Sequence, residues 1–216
     1  MYEIALQFLK EVEKKGYKAY IIGGYPRDKY LNKKSDDIDI CTNMTPKELK
    51  NNFNVIESFD KFGSVRIRYK DYILEVTTFR KDGIYKDHRR PETVEFVYNL
   101  EEDLKRRDFI INTLCIDSSG NYVDIMGAKK DLDNKIIRVV GEIDKKLKED
   151  PLRIIRAIRF SVTLDFKLDK ILENYIKDNK DLIKKISDYH ICKEYEKIKE
   201  KDKQIEFEKI LKNLTK

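Results

Sequence analysis

Within residues 36–42, Asp-Asp-Ile-Asp-Ile-Cys-Thr, polar and apolar side chains alternate from Asp37 to Cys41. Side chains alternate between the two faces of a β-strand, so the pattern predicts a strand with Asp37 and Asp39 on one face and Ile38 and Ile40 in a core. Two carboxylates so close together repel each other unless a cation lies between them. Mg²⁺ suits such a position, because it prefers oxygen ligands and leaves coordination positions for phosphate. Taken alone, the pair fits a solvated edge strand better.

A glycine turn precedes this strand. The segment 18–22 predicts a strand that ends at Gly23 and Gly24, and a short helix follows with Arg27 and Asp28 in its first turn. Glycines let backbone N–H groups approach a phosphate, and a helix N-terminus favours negative charge. A Gly-Gly turn is often only a turn. Followed closely by the two aspartates, however, it predicts a site for a phosphate and a metal ion.

Glu75 offers a third carboxylate within the otherwise apolar run 72–76. A carboxylate buried in an apolar strand without a partner is costly, and a metal ion beside it would remove that cost. The alternative is an edge-strand glutamate that faces water.

A second group of polar residues lies on a helix that we predict from residue 100 to about 114. Asp108 and Asn112 are four positions apart and would share a helix face, with Arg107 beside them. These residues offer a cation for a triphosphate and polar groups for a ribose hydroxyl. The alternative is an ordinary surface pair at helical spacing.

A third group opens a later helix. Glu149 and Asp150 precede Pro151, and Arg153, Arg156 and Arg159 follow as a basic stripe. A carboxylate plus a guanidinium matches the amine donor and the ring-nitrogen acceptor of cytosine and adenine, whereas guanine and uracil reverse that order. Asp150 and Arg153 could therefore select C and A without a nucleic-acid template. The alternative is a plain helix start.

The periodicity divides the chain in two. Residues 1–140 predict an α+β head with a small mixed or antiparallel sheet and flanking helices, including three strand-like runs in 53–79 and a capping box at Thr45. Residues 80–92 predict a charged mobile loop, a candidate lid. Residues 141–216 show only helical periodicity and predict an all-helical neck with a short C-terminal helical part.

Composition excludes several classes of protein. The chain has 216 residues, 40% apolar and 40% charged, and a formal net charge of +6. That balance argues against disorder and permits a nucleic-acid partner. We expect no membrane span, since no apolar run approaches about 18 residues, and the amphipathic start predicts neither a signal nor a transit peptide. We therefore expect a cytoplasmic protein. Two histidines and three scattered cysteines favour carboxylate and metal chemistry.

Seven segments, in this order, resemble the successive motifs of class II tRNA nucleotidyltransferases, the CCA-adding enzymes, which are relatives of bacterial poly(A) polymerases in the polymerase-β-type superfamily. The segments are YIIGGYPRD, DDIDICT, ILEVTTFR, DHRRPETVEF, EEDLKRRDFIINTL, YVDIMGAKKDL and EDPLRIIRAIRF. The resemblance covers about residues 18–162. It implies a polymerase-β-like head followed by a neck. Family members usually carry a body and tail as well, and here little sequence remains for them, so the chain is either a reduced natural form or a truncated one.

The resemblance also implies an activity. It is the template-independent addition of CCA to the 3′ end of tRNA from CTP and ATP, with release of pyrophosphate. Two Mg²⁺ ions would serve as cofactors. The implied catalytic carboxylates are Asp37, Asp39 and Glu75, the first two as metal ligands. The implied nucleotide- and phosphate-binding residues are Gly23, Gly24, Arg27, Asp28, Arg107, Asp108, Asn112, Glu149, Asp150, Arg153, Arg156 and Arg159. The loop after Phe79 resembles the element that family members need to switch from C to A addition. An A-adding enzyme, a poly(A) polymerase and a non-catalytic RNA-binding module are the alternatives.

Overall fold

The structure is a computed structural model that describes residues 1–35, 37–85 and 91–215. The described residues form two compact units. The first contains 1–84, 91–107 and 111–129, and the second contains Tyr85, 108–110 and 130–215. The units therefore divide after Lys129, eleven residues before the boundary expected near residue 140.

The first unit is built on a seven-stranded sheet. Its helices are α1 (Tyr2–Lys14), α2 (Gly24–Tyr30), α3 (Pro46–Asn52) and α4 (Leu100–Lys105). Its strands are β1 (Ala19–Ile22), β2 (Asp39–Thr42), β3 (Val55–Phe59), β4 (Ser64–Tyr69), β5 (Tyr72–Thr78), β6 (Arg80–Asp82), β7 (Val94–Phe96), β8 (Cys115–Ile116) and β9 (Tyr122–Val123). The sheet order is β3-β4-β5-β2-β1-β8-β9, with β2 and β5 parallel and the other neighbours antiparallel. The predicted mixed sheet is confirmed.

Both faces of this sheet are covered. Ile21 and Ile40 pack into the cluster that contains the buried side chains of α1 and α3. Ile22 and Cys41 point the other way, into the cluster with Leu104 of α4. Because faces alternate along β2, Asp39 shares the α4 side with Cys41. The capping box predicted at Thr45 is present, and in it Thr45 and Glu48 bond reciprocally at the start of α3.

Two local predictions are wrong. β6 lies inside the segment 80–92 predicted to be a loop, and it pairs antiparallel with β7, which follows that segment. Residues 86–90 of the predicted lid lie outside the described residues. The predicted helix from 100 to 114 ends at Lys105. Asp108–Ile110 is instead extended and pairs with 138–140, since Ile110 N donates to Arg138 O at 2.9 Å and Val140 N donates to Asp108 O at 3.0 Å.

The second unit is mainly helical. Helix α5 (Ala128–Asp133) spans the division between the units, and the elements that follow are β10 (Ile136–Ile137), α6 (Ile143–Glu149), α7 (Leu152–Leu164), β11 (Lys167–Leu168), α8 (Lys170–Asp178), α9 (Asp188–Tyr195) and α10 (Lys201–Thr215). α7 is central and contacts α6, α9 and α10. β11 pairs in parallel with β10, within the part predicted to be all helical, and its two residues are too few to show a strand period. None of the helices in the described part of the chain has the length and apolar character of a membrane span.

Candidate active site

The glycine turn lies against a carboxylate. Gly23 follows β1 with φ +84°, a conformation that other L-residues rarely adopt. A Cβ at this position would lie 3.1 Å from Oδ2 of Asp39, and one at Gly24 would lie 3.5 Å from Nη2 of Arg27. The turn therefore needs glycine at position 23 for its backbone conformation and for its close approach to Asp39.

The three predicted carboxylates lie on or just before two neighbouring strands of the sheet, β2 and β5. Asp39 is the first residue of β2, and Glu75 is its register partner on the parallel strand β5. Asp37 precedes the strand, so the predicted strand begins two residues too early. Burial, followed by repulsion from Asp37, raises the pKa of Asp39 to about 6; Glu75 adds to the rise and Arg107 opposes it.

These acids do not form a closed metal cage. Among the described residues, no group of three or more His, Cys, Asp or Glu side chains is arranged to hold a metal ion. Glu75 lies in the open, 61% exposed, with its Oε1 3.8 Å from Nε of Arg66. Asp37 and Asp39 therefore remain as a pair of carboxylates, with room around them for water or phosphate oxygens.

A buried guanidinium supports the glycine turn from within α2. Arg27 is 8% exposed and donates from Nε and Nη2 to the two carboxylate oxygens of Asp28, at 2.8 and 2.9 Å. Its Nη1 donates to Oδ1 of Asn112 at 2.7 Å. Asn112 ends a 3₁₀ turn rather than lying on a helix with Asp108. The structure thus places Asn112 with the glycine turn in the first unit, whereas Asp108 belongs to the second.

Asp103 holds the predicted Arg107 in place, a role that the sequence analysis missed. The Asp103 carboxylate is fully buried and accepts hydrogen bonds from Arg106 Nε at 2.8 Å, Arg107 Nη2 at 3.0 Å and the backbone N of Arg80 at 3.1 Å. Burial alone would raise the pKa of Asp103, but Arg107 and Arg106 outweigh it, so the pKa is lowered. The available signal was the i, i+4 spacing of Asp103 and Arg107 on a helix.

In the second unit, Asp108 pairs with Arg156. Oδ2 of Asp108 lies 2.6 Å from Nη2 of Arg156, and Oδ1 accepts from the backbone N of Phe109 at 2.8 Å. Asp108 is the main cause of the raised pKa of Arg156. The two predicted residues are therefore an ion pair, with Asp108 on the segment that pairs with 138–140.

The predicted base-selecting residues meet between α6 and α7. Oδ1 of Asp150 accepts from the backbone N of Leu152 at 3.1 Å, immediately before α7, whose N-cap is Pro151. Arg153 is 5% exposed and donates from Nη1 to Lys146 O at 2.7 Å. Its Nε lies 4.0 Å from Oδ2 of Asp150, and its Nη1 lies 3.9 Å from Oε2 of Glu149. Burial raises the pKa of Asp150, and Arg153 opposes that rise.

Arg159 has a different environment from Arg153. Its Nε lies 2.7 Å from Oε2 of Glu194, a carboxylate that is only 3% exposed and also pairs with Lys197. The ion pair joins α7 to α9. This arrangement favours a role for Arg159 in holding the helices of the second unit together.

The sheet, the glycine turn and the carboxylates form a head of the nucleotidyltransferase type. A similar fold occurs in the crystal structure of the Bacillus stearothermophilus CCA-adding enzyme in complex with CTP, with TM-score 0.82 and 37% identity over 90% of this chain and 47% of that one. A tRNA nucleotidyltransferase complexed with a primer tRNA and an incoming ATP analog gives TM-score 0.75 and 31% identity, over 95% of this chain and 59% of that one.

The sequence comparisons agree. The family model of the Poly A polymerase head domain matches residues 19–138, and the chain belongs to this family. The resemblance inferred from the seven motifs is confirmed. The CCA-adding enzyme of Lactobacillus helveticus is 44% identical over 195 residues, which are 90% of this chain and 49% of that protein. The chain thus spans about half the length of the curated relatives it matches.

Proposed function

We propose that the chain is the catalytic part of an enzyme that adds C, C and A to the 3′ end of tRNA from CTP and ATP, releasing pyrophosphate. The observation that carries the proposal is the glycine turn packed against Asp39, which lies beside Asp37 and in register with Glu75. Residues 1–140 would be the head, and 141–216 would form the helical part that follows it. tRNA as the substrate would place the protein in the cytoplasm.

The donor set fits Mg²⁺. Asp39 has its pKa raised by burial and by two neighbouring carboxylates, so a divalent cation beside it would relieve the crowding of negative charge. Asp37 and Asp39 would hold the metal ions, and an incomplete protein ligand set with space for phosphate oxygens is what Mg²⁺ takes. When bound, the metal would make the RNA 3′-hydroxyl a better nucleophile and neutralise charge on the triphosphate.

The chain's own residues in the first unit would position the triphosphate. The backbone N–H groups at Gly23 and Gly24 lie at the start of α2 and can donate to phosphate oxygens. Arg27 fixes this turn through Asp28 and Asn112. Arg107, oriented by Asp103, supplies a cation on the same side of the sheet as Asp39. Positioning and charge neutralisation contribute most of the acceleration in phosphoryl transfer.

The second unit would select the base. Asp150 can accept a hydrogen bond from the exocyclic amine of cytosine or adenine, while the Arg153 guanidinium can donate to the neighbouring ring nitrogen. The backbone oxygen of Lys146 and the ring of Tyr85, whose centroid is 5.9 Å away, orient that guanidinium. Asp108, held by Arg156, is a candidate acceptor for the ribose hydroxyl.

The deciding experiment is incorporation of labelled CTP and ATP, separately and together, into a tRNA transcript that lacks its 3′ CCA. The proposal expects two C residues followed by one A in the presence of Mg²⁺, and none from a folded Asp39→Ala variant. ATP addition without CTP addition would indicate an A-adding enzyme, and long A tails would indicate a poly(A) polymerase. RNA binding with no incorporation of either nucleotide would indicate a non-catalytic RNA-binding module.

A further inference from the structure

A surface of the first unit combines lysines with tyrosine rings. We name it the Lys–Tyr face, and its residues are Tyr2, Tyr25, Lys29, Lys34, Tyr122 and Lys129. The rings of Tyr2 and Tyr25 stack with centroids 5.5 Å apart, and Nζ of Lys29 lies 4.5 Å from the centroid of Tyr2. Nζ of Lys129 lies 5.4 Å from the centroid of Tyr122. Tyrosine rings, rather than carboxylates, therefore hold two of its ammonium groups.

The two halves of the face are continuous. Tyr2, Tyr25 and Tyr122 all pack against the same core cluster of the first unit. Tyr30, which closes α2, packs edge-on against Tyr122 at 5.6 Å. The face thus covers the N-terminus of α1, the end of α2 and strand β9.

The lysines of this face differ from those lysines of the first unit that form ion pairs. Lys50 lies 2.6 Å from Asp60, and Lys105 lies 2.7 Å from Glu101. Across the residues that the structure describes, Lys29, Lys34 and Lys129 form no ion pair with a carboxylate. Glu3 and Asp117 are close enough to raise the pKa of Tyr2, though less than burial does, and Asp117 also accepts hydrogen bonds from the turn at 119 and 121. The three ammonium groups are therefore available to an external anion.

An open cavity of about 350 Å³ lies beside Lys29 and Lys34. Its lining contains Tyr25, Lys29, Asn32, Lys33, Lys34 and Ser35, all neutral or basic. Ammonium groups, an amide and a hydroxyl are donors that suit phosphate and ribose oxygens. The cavity follows the C-terminal end of α2, whose N-terminal end carries the glycine turn. Seven residues of helix measure roughly 10 Å, so the cavity lies close to the candidate active site.

We infer that the Lys–Tyr face binds the ribose-phosphate backbone of the RNA whose 3′ end the active site extends. This inference rests on the proposed function, since it names a second contact for the same substrate. Lysines interleaved with aromatic rings favour a nucleic acid over a simple anion, because phosphates meet the ammonium groups while sugars and bases contact the rings. An RNA held here would also keep its 3′ end near the glycine turn during successive additions.

The test compares two triple variants with the same change in charge. One removes the face's lysines by Lys29→Gln, Lys34→Gln and Lys129→Gln; the control carries Lys10→Gln, Lys50→Gln and Lys105→Gln, all on exposed lysines of the same unit. The probe is a tRNA transcript lacking its 3′ CCA. We expect the first variant to weaken the Kd at least about tenfold, and to lower the salt slope of binding by about 2, since each lost phosphate contact removes roughly 0.7 to 0.9. The control should change the Kd less than about twofold.

Further arms separate the explanations. Replacing the same three lysines with arginine should restore binding, and thermal melting should show both glutamine variants folded. An unchanged Kd, or equal weakening in both variants, would overturn the inference. The inference would also be overturned if the first glutamine variant lost affinity for poly-L-glutamate by the same factor as for the transcript, because the face would then bind any polyanion. The proposed function fails separately, if the unaltered protein binds the transcript but incorporates neither CTP nor ATP.

Discussion

The guanidinium of Arg27 donates a 2.7 Å hydrogen bond to the side-chain oxygen of Asn112, which lies 85 positions later in the chain. Arg27 follows the glycine turn and Asn112 ends the 3₁₀ turn that precedes β8. The contact therefore joins the phosphate turn to a distant segment of the same unit. It also gives Asn112 a structural task besides the ribose contact predicted from the sequence.

Asn112→Ala should weaken binding of the triphosphate without changing the choice between ribose and deoxyribose nucleotides. The substitution removes an acceptor from a buried cation, so the free energy of unfolding should fall by about 1.5–3 kcal/mol. The KM for CTP should rise, and the KM for dCTP should rise by the same factor, because the glycine turn that Arg27 fixes would be less well ordered in both. Asn112→Asp keeps the acceptor and should retain most of the stability. A selective gain of dCTP use by Asn112→Ala would instead support a direct ribose contact.

Gly23→Ala and Gly16→Ala form a matched pair of substitutions. Both glycines have positive φ, +84° at Gly23 and +85° at Gly16, so alanine is strained at each. At Gly23 ψ is −133°, outside the left-handed helical region, so the cost there should exceed the roughly 1–2 kcal/mol of that region. A Cβ at Gly16 would have nothing within 4 Å, whereas one at Gly23 would lie 3.1 Å from the Asp39 carboxylate. We expect both variants to melt at a lower temperature, Gly23→Ala more so, but loss of nucleotide incorporation, measured below both melting temperatures, only in Gly23→Ala. Equal incorporation by both variants would contradict the placement of the turn in the active site.

The sequence predicted those parts of the head whose signals are local. The strands from β3 to β5 and the capping box at Thr45 follow from alternation and from spacing within a few residues. The early end of α4 was not predictable in that way, because Asp108–Ile110 pairs with a segment about thirty residues later. Burial of Asp103 beneath two arginines likewise depends on packing of α4 on the sheet, and its sequence context indicated only an acidic helix start.

Asp103→Asn should destabilise the first unit and alter its response to acid. The variant leaves Arg106 and Arg107 beside a neutral group, and breaking a buried ion pair typically costs about 3–5 kcal/mol. The lowered pKa of Asp103 means that its contribution is complete above the unfolded-state value near 4 and is lost as the pH falls through the folded-state value. The unfolding free energy of the unaltered protein should therefore fall more steeply than that of the variant below about pH 4.

The control for this prediction is Asp71→Asn in the exposed turn between β4 and β5, which should change stability by less than about 0.5 kcal/mol. Urea unfolding at a series of pH values measures all three proteins. Parallel pH profiles for the unaltered protein and Asp103→Asn would show that the ionised carboxylate does not stabilise the fold.

Substitutions at Arg153 and Arg159, both on α7, should have different effects: the first on nucleotide selection and the second on stability. Arg159 pairs with the buried Glu194, so Arg159→Ala should lower the free energy of unfolding by about 1.5–3 kcal/mol. Its preference for CTP and ATP over UTP and GTP should be unchanged. Arg153→Lys keeps the positive charge but loses the planar fork of donors, and Arg153→Ala loses both.

In both Arg153 variants, discrimination against UTP and GTP should fall roughly tenfold or more, since a matched pair of hydrogen bonds to a base is worth about 1–3 kcal/mol. The measurement is kcat/KM for each of the four nucleotides with a tRNA transcript lacking its 3′ CCA. Thermal melting of each variant measures how much stability is lost with the hydrogen bond from Arg153 to the backbone oxygen of Lys146. If Arg159→Ala relaxes nucleotide choice as much as Arg153→Ala does, the basic stripe acts as a whole and selection does not rest on Asp150 and Arg153.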